Sequence, residues 1–133
     1  MTIEAVVALK TLSQSKRRLS AVLNDEQRSD LVEAMAQDVL SSLMRHPEID
    51  AVHVVCGEGW TRDVFPEGPL VVWQEAESHD HGLIAAYEMV AARTGAERLL
   101  FIHADLPFLR QEDILAVISA SLDHHAVLSP DFT

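Results

Sequence analysis

Short apolar runs rich in β-branched residues alternate along the chain with longer segments of helical periodicity, and this alternation restricts the fold more than any other feature. A parallel strand buried on both faces has a continuous apolar sequence, and its connection to the next parallel strand is usually a helix. The runs with strand character are residues 4–9, 51–56, 70–73, 98–104 and 126–129. The pattern predicts an α/β fold with a mostly parallel sheet and helices on both of its faces.

The first predicted helix is the longest and has recognisable ends. It begins after Asn24, which forms a capping-box pattern with Gln27, and Pro47 ends it. Residues four apart within it predict one apolar stripe: Leu31, Met35, Val39 and Leu43.

Two shorter helices follow. One is predicted over residues 82–94 with Gly95 as its C-cap, and the other over residues 111–122. The apolar side of the latter is formed by Ile114, Ile118 and Leu122. Because ligands of parallel α/β sheets bind beyond the carboxyl ends of the strands, site residues are expected just after the strands and at helix starts.

The composition indicates one domain and excludes several classes of protein. The chain has 133 residues, of which 48% are apolar, enough for a compact core. No run approaches the ~18 apolar residues of a membrane span, so no membrane association is expected. Cys56 is the single cysteine, which fits a reducing cytoplasm, where we expect the protein. A net charge of −11 disfavours nucleic acid as a partner.

A local concentration of positive charge contrasts with this acidic background. Of the ten basic residues, four fall within nine positions after the first strand: Lys10, Lys16, Arg17 and Arg18. Several point charges and guanidinium donors on one flexible segment suit a polyphosphate. The segment is not a Walker loop, because residues 1–56 contain no glycine. The alternative is a solvated basic turn that balances the acidic surface.

Asp105 follows the fourth predicted strand, and Pro107 is expected to hold Leu106 extended. A carboxylate at this edge of the sheet is placed to join a hard cation to phosphate oxygens, and Mg²⁺ typically takes only one or two protein carboxylates. A turn or capping role is the alternative interpretation of this aspartate.

The segment before the second helix offers two further interpretations. His79 and His81 are two residues apart, which suggests zinc, but no cysteine or third histidine stands at ligand spacing. Gly82 instead suits close approach of a base, ribose or phosphate to the backbone. Cys56 is interpreted as a small buried residue rather than a nucleophile.

The order of these segments resembles the CofC-like phospholactate and phosphoenolpyruvate guanylyltransferases of coenzyme F-420 biosynthesis. That family opens with an apolar strand, the pattern K-P-L-x-x-A-K-S-R-L-x-x-V-L, and a helix containing A-M and D-V-L. Its loop pattern is matched by Lys10, Leu12, Lys16, Arg18, Leu19, Val22 and Leu23, and its helix pattern by Arg28, Leu31, Ala34, Met35, Asp38, Val39 and Leu40. The family motif P-A-D-L-P appears as "HADLP" with His103 in place of proline, and V-P-D appears as "LSPD" through Asp131.

The resemblance implies a GT-A nucleotidyltransferase fold, a Rossmann-like αβα sandwich. It implies GTP as donor, pyrophosphate as leaving group, and 2-phospho-L-lactate, phosphoenolpyruvate or 3-phosphoglycerate as acceptor. It assigns Asp105 to Mg²⁺ and places two groups along the nucleotide: Lys10, Lys16 and Arg18 at the triphosphate, and Gly82 and Leu83 at the guanosine. Lys16, Arg18 and Asp105 are the expected catalytic residues, whereas Arg17 matches no basic position of the family.

Two departures from the family pattern leave alternatives open. The family's G-G-L-N appears as "HGLI", so Ile84 replaces a polar residue and the base specificity is uncertain. The family also continues beyond Asp131 into segments that contact the acceptor. We therefore expect residues 1–133 to form a single nucleotidyltransferase domain without its acceptor side, which self-associates or belongs to a longer protein. The alternatives are another GT-A nucleotidyl- or glycosyltransferase and a non-catalytic domain that retains nucleotide binding.

Overall fold

The computed structural model describes residues 1–10, 17–74, 83–106 and 108–127. The strands are β1 (Ile3–Leu9), β2 (Ala51–Cys56), β3 (Leu70–Gln74) and β4 (Arg98–His103), and the helices are α1 (Asp25–Arg45), α2 (Leu83–Ala91) and α3 (Gln111–Ser121). Short 3₁₀ helices cover Arg17–Ala21 and Arg62–Val64. None of the helices in these described ranges is long and apolar enough to cross a membrane.

The four strands form one parallel sheet in the order β3-β2-β1-β4. Alternate side chains of β1 enter two separate cores, because successive residues of a strand point to opposite faces. Ala5, Val7 and Leu9 pack in the larger core with α1 and α3, and Val6 packs in the smaller core with α2. The predicted α/β fold with helices on both faces of a parallel sheet is confirmed.

Helix α1 begins as predicted. The side chain of Asn24 accepts a hydrogen bond from the backbone N–H of Gln27 at 2.8 Å, and the side chain of Gln27 accepts one from the backbone N–H of Asn24 at 3.0 Å. The helix ends at Arg45, with His46 as C-cap immediately before Pro47. Both ends of the longest helix were therefore encoded by local polar and proline signals.

The apolar stripe predicted for α1 is wrong in its first half. Leu31 is exposed and Met35 is half-buried, whereas Val32 and Ala36 lie in the core with Val39, Leu40 and Leu43. At 3.6 residues per turn, a strict spacing of four rotates away from the buried face over several turns. Ala36 and Val32, which precede Leu43 by seven and eleven residues, stay on the buried face.

Helix α2 ends differently from the prediction. It stops at Ala91, and Gly95 is not its C-cap, because the positive-φ glycines among the described residues are Gly59 and Gly68. The side chain of Thr94 directs the chain instead. Its hydroxyl donates to Glu4 Oε1 at 2.8 Å and accepts from the backbone N–H of Ala96 at 3.2 Å, so no left-handed residue is needed.

The segment after β4 departs from the prediction at three points. Strand β4 ends at His103 and not at Ala104, and Leu122 lies just beyond α3 with 54% of its surface exposed. Of the predicted strand 126–129, residues 126 and 127 have no strand structure, and the other two lie outside the described residues. The guanidinium of Arg98 donates to the carbonyl of His124 at 2.8 Å, which returns the chain after α3 to the start of β4.

Candidate functional site

The strand order defines where a ligand site is expected. From β1 the chain proceeds to β2 and β3 on one side of the sheet, whereas β4 lies on the other side of β1. Ligands of open parallel sheets bind beyond the carboxyl ends of the strands, where the strand order changes direction. Here the order changes direction at β1, which lies between β2 and β4.

Two predicted site residues follow β1 and β4 at equal distances from a paired position. Ala8 of β1 is in register with His103 of β4, and Lys10 and Asp105 each come two residues later. Both side chains are exposed. The fold therefore brings a cationic and an anionic residue, 95 positions apart in sequence, to the same edge of the sheet.

The end of β1 is held by the loop that follows β2. The backbone N–H of Gly57 donates to the carbonyl of Leu9 at 3.0 Å, and the indole Nε1–H of Trp60 donates to the carbonyl of Lys10 at 2.7 Å. Sequence reasoning overlooked Trp60, because no local pattern links it to a residue 50 positions earlier. A tryptophan four residues after a strand end, preceded by Gly59, was the only available signal.

Asp105 lies in the turn that follows β4, with its side chain exposed. Across residues 1–10, 17–74, 83–106 and 108–127, no three histidine, cysteine, aspartate or glutamate side chains form a group that could hold a metal ion. An exposed carboxylate at the strand edge has the hard oxygen donors that Mg²⁺ prefers, and Mg²⁺ commonly completes its shell with phosphate and water. The carboxylate of Asp105 is therefore chemically suitable for Mg²⁺, and its assignment to the metal stays a prediction.

The remaining predicted site residues are placed only in part. Arg18 is exposed in the 3₁₀ helix Arg17–Ala21. Lys16, Gly82, His79 and His81 lie outside the described residues, as does the side chain of Leu83, the first residue of α2. The assignments of Lys16 to the triphosphate and of Gly82 and Leu83 to the guanosine remain predictions.

The first turns of α2 present an apolar surface. Ile84 is 74% exposed, and Tyr87 stacks on Phe101 of β4 with ring centroids 4.2 Å apart and planes 17° apart. Together with Glu88 and Ala91 these residues line an apolar hollow of about 300 Å³. The position where the family motif has a polar residue is thus occupied by an exposed isoleucine.

Cys56 at the end of β2 is buried, as predicted, and its thiol donates to the carbonyl of Trp73 at 3.5 Å. Burial raises the pKa of the Cys56 thiol to about 11. A thiol that remains protonated at neutral pH is not an activated nucleophile.

A buried polar cluster lies on the α2 face of the sheet and extends from Glu4, near the amino end of β1, to Trp73, near the carboxyl end of β3. Nε2 of His53 is 2.5 Å from Glu4 Oε1, and the indole N–H of Trp73 donates to Nδ1 of His53 at 3.0 Å. Because Trp73 Nε1 can only donate, Nδ1 accepts and the proton resides on Nε2, which donates to Glu4. The sequence did not predict this cluster, and its partners make it a link between β1, β2, β3 and Thr94.

The comparisons with known proteins agree on one family. A family model described as "Guanylyl transferase CofC like" matches residues 3–132. The chain is 32% identical over 132 residues to a phosphoenolpyruvate guanylyltransferase of Sphaerobacter thermophilus, with 98% of this chain and 63% of the relative covered. It is 36% identical over 119 residues to a 2-phospho-L-lactate guanylyltransferase of Methanothrix thermoacetophila, with 87% and 51% covered. The chain spans about half to two thirds of the length of these relatives.

Solved structures with similar folds are more distant in sequence. A CMP:2-keto-3-deoxy-manno-octonic acid synthetase complexed with CTP superposes with a TM-score of 0.67 at 15% identity, over 96% of this chain and 50% of that one. A 4-diphosphocytidyl-2C-methyl-D-erythritol synthase from Anaerococcus prevotii superposes with a TM-score of 0.55 at 16% identity, over 88% and 50%. At these identities the likeness concerns the fold, and it confirms the nucleotidyltransferase type of α/β sandwich.

Proposed function

The chain belongs to the family of CofC-like guanylyl transferases, and we propose that it transfers GMP from GTP to a small phosphorylated three-carbon acid with release of pyrophosphate. The acceptor is 2-phospho-L-lactate, phosphoenolpyruvate or 3-phosphoglycerate, and the reaction belongs to coenzyme F-420 biosynthesis. Relatives named for phosphoenolpyruvate and for 2-phospho-L-lactate support this substrate class. The single observation that carries the proposal is the placement of Lys10 and Asp105 at the β1 and β4 carboxyl ends.

The proposed reaction needs little covalent chemistry from the protein. An acceptor phosphate is largely dianionic at neutral pH because its second pKa is ~6, so no general base is required. One of its oxygens forms a bond to the α-phosphorus of GTP. The bond from that phosphorus to the bridging oxygen breaks, and pyrophosphate leaves with the electron pair.

The proposed contribution of the chain is therefore positioning and charge neutralisation. Lys10, Lys16 and Arg18 bind the triphosphate, and Gly82 and Leu83 lie along the guanosine. Asp105 would hold Mg²⁺, which when bound supplies charge stabilisation to the phosphate oxygens. Lys10 follows β1 and Asp105 follows the neighbouring β4, so the cationic side chain and the carboxylate would act on the same polyphosphate.

Pyrophosphate release tests the proposed reaction. The protein is incubated with GTP, Mg²⁺ and each of the three acceptors, with Asp105→Asn as the inactive variant. Asp123→Asn is the matched control, because it removes the same charge from an exposed aspartate beyond α3. Acceptor-dependent release that Asp105→Asn abolishes and Asp123→Asn retains supports the proposal. GTP binding without release from any acceptor favours the non-catalytic alternative.

The exposed Ile84 favours a second candidate, a related transfer from a different nucleotide. An apolar residue in the first turn of α2 cannot hydrogen-bond a base or ribose as a polar residue would. The two structural relatives are named for cytidine nucleotides, so CTP is the first competitor. Thermal shifts measured with GTP, CTP, ATP and UTP in Mg²⁺ separate the candidates, and a larger shift with CTP than with GTP would support the second.

A further inference from the structure

We propose that Trp60 is a positioning residue for the donor triphosphate: its indole N–H fixes the backbone at Lys10 and so sets where the Lys10 side chain leaves the sheet. The choice of a triphosphate as ligand rests on the proposed function, whereas the hydrogen bond between Trp60 and Lys10 is observed in the structure. The indole Nε1–H of Trp60 donates to the carbonyl of Lys10 at 2.7 Å, between residues 50 positions apart. The tryptophan side chain has one hydrogen-bond donor and no acceptor, so this bond uses all of the hydrogen-bonding capacity of the indole.

The Trp60 ring is rigidly held. It is 6% exposed and stacks on Phe65, with ring centroids 5.8 Å apart and planes 15° apart. Gly59 before it has a φ of 93°, a conformation that a residue with a side chain rarely adopts. The loop is also tied to α1, because the side-chain amide of Gln37 donates to the carbonyl of Val64 at 2.6 Å.

The same loop holds two successive carbonyls, that of the last residue of β1 and that of the residue after it. Gly57 N–H donates to Leu9, and Trp60 donates to Lys10. Together they fix the last peptide planes of β1 before the segment that carries the other basic residues. The side chain of Lys10 is exposed, and these hydrogen bonds hold its backbone. Since small displacements of a charged group weaken its contact with a polyphosphate, anchoring that backbone is a means of placing the charge.

The chain offers a matched control for this interaction. Its two tryptophans each donate one indole hydrogen bond, Trp60 to Lys10 and Trp73 to His53 Nδ1 at 3.0 Å. Trp60→Phe and Trp73→Phe therefore make the same chemical change in two cores on opposite faces of the sheet. Each variant retains one tryptophan, so the unfolding of both can be followed by fluorescence.

Binding of inorganic triphosphate, GTP and guanosine is measured by calorimetry in Mg²⁺. Trp60→Phe is expected to weaken triphosphate and GTP binding about two- to tenfold, the range for one hydrogen bond. Guanosine binding should not change, because guanosine has no phosphate for Lys10 to contact. Trp73→Phe should leave all three affinities unchanged even where it lowers the unfolding temperature. Equal losses of triphosphate affinity in the two variants, or none in Trp60→Phe, would overturn the proposal.

A second readout needs no nucleotide. Trypsin cleaves after Lys10 only when the local backbone opens, so Trp60→Phe should speed that cleavage more than Trp73→Phe does. If the wild-type protein binds neither GTP nor triphosphate, the proposed function fails. Faster cleavage of Trp60→Phe than of Trp73→Phe still supports the anchoring role in that case, and equal cleavage overturns it.

If Trp60→Phe does not fold, Trp60 in the Trp73→Phe background is replaced by β-(3-benzothienyl)alanine, which substitutes sulfur for the N–H and keeps the ring shape. That protein is expected to show the same loss of triphosphate affinity and the same faster cleavage, and unchanged values of both would overturn the proposal.

Discussion

Ala8 of β1 pairs in register with His103 of β4, and both strands end within one residue of this pair. This single pairing places Lys10 beside the turn that holds Asp105. It also brings the basic segment that begins at Lys10 and the segment that contains Asp105 onto one surface. The proposed binding of a nucleotide depends on that surface.

Asp105→Asn should leave the fold intact and remove the Mg²⁺-dependent part of nucleotide stabilisation. A neutral amide loses the negative charge that attracts a hard cation, and Asp105 is exposed, so its replacement disturbs no core. The measurement is the unfolding temperature with GTP, with and without Mg²⁺. Asp123→Asn should behave like the wild type. A full Mg²⁺ effect in Asp105→Asn would place the metal elsewhere.

Lys16→Ala or Arg18→Ala should weaken GTP binding by about 1.5–3 kcal/mol, or roughly 10- to 150-fold, the range for hydrogen bonds to charged groups. Arg17→Ala should have a much smaller effect, because only Lys16 and Arg18 match the basic positions of the family. Titration calorimetry measures the three variants. Small and equal losses of GTP affinity in the three variants would favour the interpretation of this segment as a solvated basic turn.

Glu4→Ala should destabilise the fold by about 1–3 kcal/mol without changing GTP affinity. It leaves the buried His53 Nε2–H and the Thr94 hydroxyl without their acceptor. The contacts of Glu4 lie near the amino end of β1, away from Lys10 and Asp105. Urea unfolding measures the loss, and Glu48→Ala is the exposed control. A stability equal to that of the control would mean that the cluster contributes little.

Cys56 should react slowly with thiol reagents at pH 8 in the native protein and rapidly after unfolding. Burial raises the pKa of its thiol from 9.0 to about 11, so the native state retains a proton that the unfolded chain releases. The stability linked to this group is therefore complete below about pH 9 and is lost as the pH rises towards 11. Cys56→Ala should unfold with a shallower dependence on alkaline pH. An identical dependence in the two proteins would contradict the raised pKa.

Local signals in the sequence predicted the helices and strands, but they could not predict contacts between residues far apart in the chain. β2 was predicted with its observed bounds, because a short apolar run between turn residues is typical of a buried strand. The Asn24–Gln27 capping box also lies within four residues and was predicted. In contrast, the Trp60–Lys10 bond spans 50 residues and the Thr94–Glu4 bond spans 90. The wrong C-cap at Gly95 has the same cause, since a contact with β1 directs the chain there.

The most direct test of the account is an NMR titration of the 133-residue protein with GTP and Mg²⁺, with backbone amide shifts followed along the chain. The account predicts that the largest changes occur at the carboxyl ends of β1 and β4, at Lys10, Gly57, Ala104 and Asp105. Amides at the opposite end of the sheet, such as those of Glu4 and Ala96, should change little. Shifts concentrated at that opposite end, or no shifts at millimolar GTP, would contradict the proposal that the β1–β4 edge binds the nucleotide.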